Sequence, residues 1–231
     1  MSFRTQWASA LGCGLRGGIA SVGQRDQKGI PPAGRNDRLY YDDTIMTAPL
    51  TSPISLLPLN LADHAEALQQ VYRATPAYWQ MYQLAGSPAG QAERDLEAAA
   101  STPGRTLMGI VRHIDPNDAT AGVEMVGVID FRLHWPDPAV AYIGMVMVAE
   151  PYQRQGIGSA AWHLLAPWLA QGTQMSSVRL GVEQFNPNAL RFFQSLGFTL
   201  TGDATRIQSG QRWVRLLYME YDLKHALADA A

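Results

Sequence analysis

The residues with the clearest chemical potential form the run Gln153-Arg154-Gln155-Gly156-Ile157-Gly158-Ser159, which follows the apolar stretch Met145-Val146-Met147-Val148-Ala149. A strand that passes through a tight loop into a helix leaves the first helical N–H groups without intrahelical acceptors, at the positive end of the helix dipole. Such a junction suits an anion, a phosphate above all. Gly156 and Gly158 have no Cβ, so the backbone there can come close to a ligand. A Gly-x-Gly before a helix is by itself a common turn, and two rival motifs have to be set aside. The glycine spacing and the later acidic residue of a dinucleotide fingerprint are not both present, and no Gly-Lys-Ser/Thr follows for a nucleoside triphosphate.

The elements that must position this loop can be read from periodicity. Ile54, Leu56 and Leu57 mark a short strand, with Asn60 or Asp63 as caps for an amphipathic helix reaching Tyr72. Further helices are expected over 76–84, where Pro76 suits a first turn, and over 91–100, ended by Pro103-Gly104. Strand patterns follow over 106–114, 123–133 and 140–149, separated by turns at 115–118 and 136–138. After Gly158, Ala161, Leu164, Leu165, Trp168 and Leu169 recur at helical spacing. A strand over 177–182, a helix over 188–196, a short strand over 198–200 and a last strand over 212–222 complete the pattern. The economical architecture is mixed α/β, a sheet with helices on both faces.

Downstream, Leu180-x-Val182-x-x-x-Asn186-x-x-Ala189-x-x-x-Phe193-x-x-x-Gly197-Phe198 stands at a fitting distance from the glycine loop. With Gln153, Gly156 and Gly158 it resembles the GNAT superfamily of acyl-CoA N-acyltransferases over roughly residues 52–222. That resemblance implies a central mixed, mostly antiparallel sheet of about seven strands and acetyl-CoA as acyl donor. It also implies that the backbone of Arg154, Gln155, Gly156, Ile157, Gly158 and Ser159 binds the CoA pyrophosphate, with Gln153 heading the motif. Val146, Met147 and Val148 would run beside the pantetheine arm, and Asn186 and Phe193 would complete the cofactor contacts. The implied reaction is direct transfer of acetyl to a primary amine of a small molecule, peptide or protein.

Each chemical role then needs a residue. Relatives commonly carry Tyr where this chain has Phe193, which has no hydroxyl to serve a leaving thiolate. A catalytically weak acyl-CoA-binding sensor is therefore the alternative, and Phe193 is otherwise simple core packing. For the base, Glu183, Asp130 and Glu150 are the candidates, with His134 behind them; a carboxylate partly removed from water at a strand end, as at Glu183, can accept a proton. Any of them is also a plain solvated charge. Asn186 serves equally as a helix N-cap. Tyr78, Trp79 and Tyr82 on the second helix cannot all face inward, so part of that aromatic surface is expected to line the acceptor cleft, favouring an acceptor with apolar parts over a polyamine.

Composition narrows the remaining classes. A net charge of −2 over 231 residues leaves no basic footprint for nucleic acid or membrane surface. No metal is expected, since His64, His113 and His225 lack ligand spacing. The lone Cys13 and the lack of a long apolar run point to a soluble cytoplasmic protein, with homodimerisation left open. Residues 1–45 are Gly- and Arg-rich without apolar period and are read as a disordered extension; a presequence is the lesser reading, and 223–231 are read as a tail. A chain beginning at Met46 is expected to bind acetyl-CoA normally and to melt within about 2 °C of the full chain, less than a 1 kcal/mol change would give. A fall of about 5 °C or more in a calorimetric scan would show that the extension is structural.

Overall fold

The structure, a computed structural model, describes residues 46–47, 54–114, 122–209 and 212–228. A two-residue strand β1 (Met46–Thr47) and β2 (Ile54–Pro58) lead into helix α1 (Leu61–Arg73). Asn60 caps α1 by accepting from the Asp63 N–H at 2.9 Å, which satisfies one of the donors that a helix start leaves open. Helix α2 (Pro76–Met81) opens on its proline, and α3 (Gln91–Ser101) follows. Three strands, β3 (Arg105–His113), β4 (Val123–Arg132) and β5 (Val140–Val148), then form the antiparallel meander. A single 3-10 turn at Glu150–Tyr152 leads to the long helix α4 (Ile157–Gly172). Strand β6 (Ser177–Glu183), helix α5 (Pro187–Ser195), the hairpin β7 (Thr199–Ser209) and β8 (Arg212–Asp222), and helix α6 (Lys224–Ala228) complete the chain.

Among the described residues eight strands make one sheet in the order β1-β2-β3-β4-β5-β6-β8-β7. Every neighbouring pair is antiparallel except β5 with β6. Two apolar layers cover it, as a two-faced sheet requires. On one face Leu68, Tyr72, Trp79 and Leu96 of α1–α3 bury Leu107, Val128, Met145 and Met147. On the other, Ala161, Trp162, Leu165 and Leu169 of α4 meet Ile110, Ile129, Ile143, Leu180 and Met219. The sheet is therefore mixed, mostly antiparallel, with helices on both faces.

Several details depart from the periodicity. Helix α2 stops at Met81 and not Leu84, because Gln83 takes a left-handed φ of 63° and the Leu84 N–H turns back to the Trp79 carbonyl. Strand β7 extends to Ser209, well past Leu200. It is an edge strand whose exposed side is polar, so its apolar alternation is weak, and a register shift between Leu200 and Ala204 breaks it further. The expected tail after residue 222 is instead helix α6, which buries Leu223 and Ala226 in the main core. The sheet begins at Met46, ahead of the expected boundary at 52, since Met46 and Thr47 pair with Leu56 and Ser55. The extension 1–45 and the turn at 115–118 lie outside the described residues. No helix of the described residues is long and apolar enough to cross a membrane.

Candidate active site

The site is founded on a parting of strands. The parallel ladder between β5 and β6 runs from Val140 opposite Ser177 to Ile143 opposite Leu180 and stops there, although both strands continue. A bulge in β5 at Gly144 marks the place, since Asp130 pairs with Met145 while Phe131 pairs with Ile143. Bulges bend the strand that carries them. Beyond it the polar groups of β5 divide by alternation. The Ala149 N–H bonds the Val126 carbonyl, and the Met147 carbonyl lies within 2.5 Å of where a Cβ on Gly127 would stand. Both face β4, so the backbone groups of Val146 and Val148 face the gap. Met147 contributes its side chain to the opposite core and its backbone to the β4 ladder, so of the three strand residues only the two valines offer polar groups to a pantetheine chain.

The glycine loop hangs from the end of this gap. The Gln153 side-chain amide donates to the Val148 carbonyl at 2.8 Å, and that of Gln155 to the Pro151 carbonyl at 2.9 Å, folding the loop on itself. Glu150 anchors it laterally: its N–H bonds the Ala74 carbonyl and its carboxylate accepts from the Ala77 N–H, both at 2.8 Å. Arg154 and Gly156 both take positive φ, 63° and 80°, which costs a non-glycine residue about 1–2 kcal/mol and Gly nothing comparable. Among the described residues no acceptor meets the N–H groups of Arg154, Gln155 or Gly156. These residues are exposed, and Ile157 behind them is buried. A row of donors at a helix start facing outward is an anion cradle.

The two glycines have different tasks. A Cβ on Gly156 would meet nothing within 4 Å, so the residue is there for its φ. A Cβ on Gly158 would stand 3.1 Å from the Phe192 ring, so that glycine lets α4 and α5 approach. The sequence suggested that both open the backbone to a phosphate; the missing Cβ of Gly158 also serves helix packing. Phe193, next on α5, is buried against Phe192 and Phe198 with ring centroids 5.1 and 5.4 Å away. With Ile143, Val146, Gly158, Trp162 and Phe192 it lines a small apolar pocket beneath the loop. Asn186 is the N-cap of α5, its Oδ1 accepting from the Ala189 N–H at 3.1 Å. Ser159 lies half-buried in the first turn of α4.

Across the gap, the remaining candidate residues separate into distinct groups. The hydroxyl of Tyr82, just past α2, donates to Glu183 Oε1 at the end of β6. Burial, followed by the nearby Tyr78 and Glu183, pushes the Tyr82 hydroxyl pKa well above its usual range, so it stays a neutral donor. Tyr78 packs edge-on to Tyr82 with centroids 5.2 Å apart. Trp79 touches Tyr78 from the core side, with centroids 5.1 Å apart, but it is 5% exposed, and its indole N–H bonds the Tyr72 carbonyl inside the core. Asp130 accepts two hydrogen bonds from Arg105, at 3.0 and 2.7 Å, and is buried. A carboxylate so held is a structural ion. His134 lies in the turn before β5, exposed, its Nδ1 2.6 Å from the Pro138 carbonyl. Among the described residues no group of three or more His, Cys, Asp or Glu side chains is placed to hold a metal.

Sequence reasoning did not foresee the link between Tyr82 and Glu183, which are 101 residues apart, nor the anchoring of the loop by Gln153 and Glu150. Nor did it find Tyr142, a buried residue of β5 whose hydroxyl lies 3.0 Å from the missing Cβ of Gly181; burial, then Tyr218 and Glu183, raise its pKa. Only Gly181 within a strand hinted at a close approach there.

The packing role of Gly158 is open to a direct test. Gly158→Ala should lower stability in urea by about 1–3 kcal/mol through overpacking against Phe192. Combined with Phe192→Leu, it should cost less than the sum of the two single changes. Strict additivity would show that the two positions do not touch.

Residues 71–198, which carry this geometry, match the model of the Acetyltransferase (GNAT) family. No curated protein sequence matches the chain. Among solved structures, an acetyltransferase from Thermus thermophilus is similar at 22% identity and TM-score 0.57, over 74% of this chain and 97% of that one. The Salmonella typhimurium acetyltransferase that modifies the N-terminal serine of ribosomal protein L7/L12 is similar at 19% identity and TM-score 0.62, over 78% and 99%. A Vibrio cholerae spermidine N-acetyltransferase chimera with the human enzyme gives 14% and 0.55, over 76% and 99%. These likenesses concern the fold, whereas the family match spans more than half of the 231 residues and includes both the glycine loop and the Asn186-to-Phe198 segment. The chain belongs to the GNAT family of acetyltransferases and is itself an acetyltransferase.

Proposed function

We propose that the protein moves an acetyl group from acetyl-CoA to a primary amine by direct transfer, with no covalent enzyme intermediate. The observation that carries this reading is the gap between β5 and β6, which opens beside an outward-facing row of N–H donors. The pyrophosphate lies against the backbone of Arg154 to Ser159, and the pantetheine arm follows the gap as a substitute strand, pairing with Val146 and Val148. Were the β5–β6 register to continue, Glu183 would stand level with Val146 and Met147. That register supports a carboxylate beside the path of the thioester.

In the reaction the amine lone pair attacks the thioester carbonyl carbon. The C–N bond forms, the C–S bond breaks, and CoA leaves as a thiolate. Glu183, directly or through a water, takes the proton shed by the amine, and Tyr82 holds that carboxylate in position. Asp130 is not assigned a role in proton transfer, because protonating it would require losing both bonds from Arg105. Phe193 packs the floor of the cofactor site, and the thiolate is protonated by water. Amines offered by peptide N-termini and by small molecules both remain within this reading, as do the acceptors named for the similar structures, a ribosomal protein N-terminus and spermidine.

Glu183→Gln separates binding from proton transfer. At saturating acetyl-CoA it should lower kcat about a hundredfold, within the usual range for a general base. Acetyl-CoA affinity by calorimetry should stay within about twofold, since among the described residues the carboxylate's hydrogen bond is to Tyr82 and not to the loop. A kcat that is unchanged would remove Glu183 from the chemistry.

A further inference from the structure

We infer that the acceptor is a primary monoamine, carrying one positive charge at the reacting nitrogen and an uncharged remainder, and that polyamines are poor substrates. The inference rests on the acetyltransferase reading above and concerns the same site. It follows from how charge is distributed over the sheet face that looks toward α1–α3.

Val178, Leu180 and Val182 of β6 point into the α4 core, so Arg179, Gly181 and Glu183 point to the opposite, acceptor face. Cross-strand partners on β8 share that face: Glu220 opposite Arg179, Tyr218 opposite Gly181 and Leu216 opposite Glu183. Arg105 and Asp130 lie there too, each two residues from Leu107 and Val128 of the α1–α3 core. Among the described residues, the buried and half-buried acids of this face are Asp130 and Glu220, each paired with a cation, and Glu183, which is not; Arg132 bonds the Pro103 carbonyl, and the exposed Asp222 accepts from the Lys224 N–H. Arg105 takes both oxygens of Asp130, and Arg179 bonds Glu220 at 3.1 and 2.7 Å. The hydrogen bond to Glu220, with lesser contributions from Asp137 and Asp203, raises the Arg179 pKa.

Glu183 stands apart. Among the described residues it meets no lysine or arginine; its hydrogen-bond partner is the neutral hydroxyl of Tyr82. It is half-buried, and its neighbours Tyr78, Tyr82, Tyr218 and Leu216 carry no charge. One unneutralised carboxylate in a low-dielectric, phenol-lined setting attracts one ammonium strongly. A second ammonium several ångströms along the same molecule would find rings and paired acids, and would lose its water without gaining a counter-charge. Discrimination of this type comes from the penalty on the wrong ligand as much as from contacts with the right one.

The test uses the full chain at saturating acetyl-CoA, with CoA release as readout and 2-phenylethylamine and spermidine as probes. Acetyl-CoA binding is measured first by calorimetry. The expected result is a kcat/KM for 2-phenylethylamine at least about tenfold above that for spermidine, the ratio that about 1.4 kcal/mol gives. Glu183→Gln should also raise the KM for 2-phenylethylamine, an effect that a role confined to proton transfer would not produce. Equal or better use of spermidine overturns the inference, and so does turnover of neither amine by a chain that binds acetyl-CoA. Failure to bind acetyl-CoA at all overturns the acetyltransferase reading instead.

Discussion

The structure turns on a ladder that is cut short. Had β5 and β6 stayed paired beyond Ile143 and Leu180, the sheet would be continuous and its polar groups spent. The Gly144 bulge swings the rest of β5 away, while β4 continues to hold its other edge as far as Val148. A strand with one edge paired and one open is normally a liability, because it invites any extended chain to add itself. Here the open edge is short, lies inside the fold, and ends at a helix start whose N–H groups face outward. An extended ligand with an anionic terminus matches both halves, which is the shape of an acyl-CoA.

Other interactions keep that edge in place. Gly127 allows the Met147 carbonyl an approach that no Cβ would permit, so β4 grips β5 closely just before the loop. Glu150 ties the loop to the α1–α2 junction, linking the row of loop N–H groups to the wall formed by α2. From that wall Tyr82 reaches Glu183, so the two sides of the gap are joined through one hydrogen bond. Arg105 with Asp130 is a different element: a buried pair whose loss of one partner costs about 3–5 kcal/mol, and hence a fixture of the framework.

Much of this was legible in the residues. The strand-loop-helix junction at 145–159 and the spacing from Leu180 to Phe198 pointed to the family and to the loop geometry, because both leave their trace in glycines and element boundaries. The core helices were legible by their period. What stayed hidden depended on side chains meeting across long sequence distances. Asp130 and Glu183 look alike in sequence, and only the presence of Arg105 beside one and Tyr82 beside the other separates a carboxylate held in an ion pair from one without a cation. Trp79 and Tyr82 stand three positions apart on or just after one helix, yet the turn at Gln83 ends the helical period and lets one bury while the other reaches out. Strand β7 was truncated in the sequence reading because an edge strand carries little apolar alternation.

The central claim, that acetyl-CoA adds itself to the open edge of β5, is tested most directly by amide hydrogen exchange of the full chain with and without the ligand. The account predicts strong slowing at Val146, Val148 and the loop amides of Arg154 to Gly158. The Met147 N–H, already paired to β4, should change little. Slowing confined to other parts of the molecule, with Val146 and Val148 exchanging as before, would contradict it.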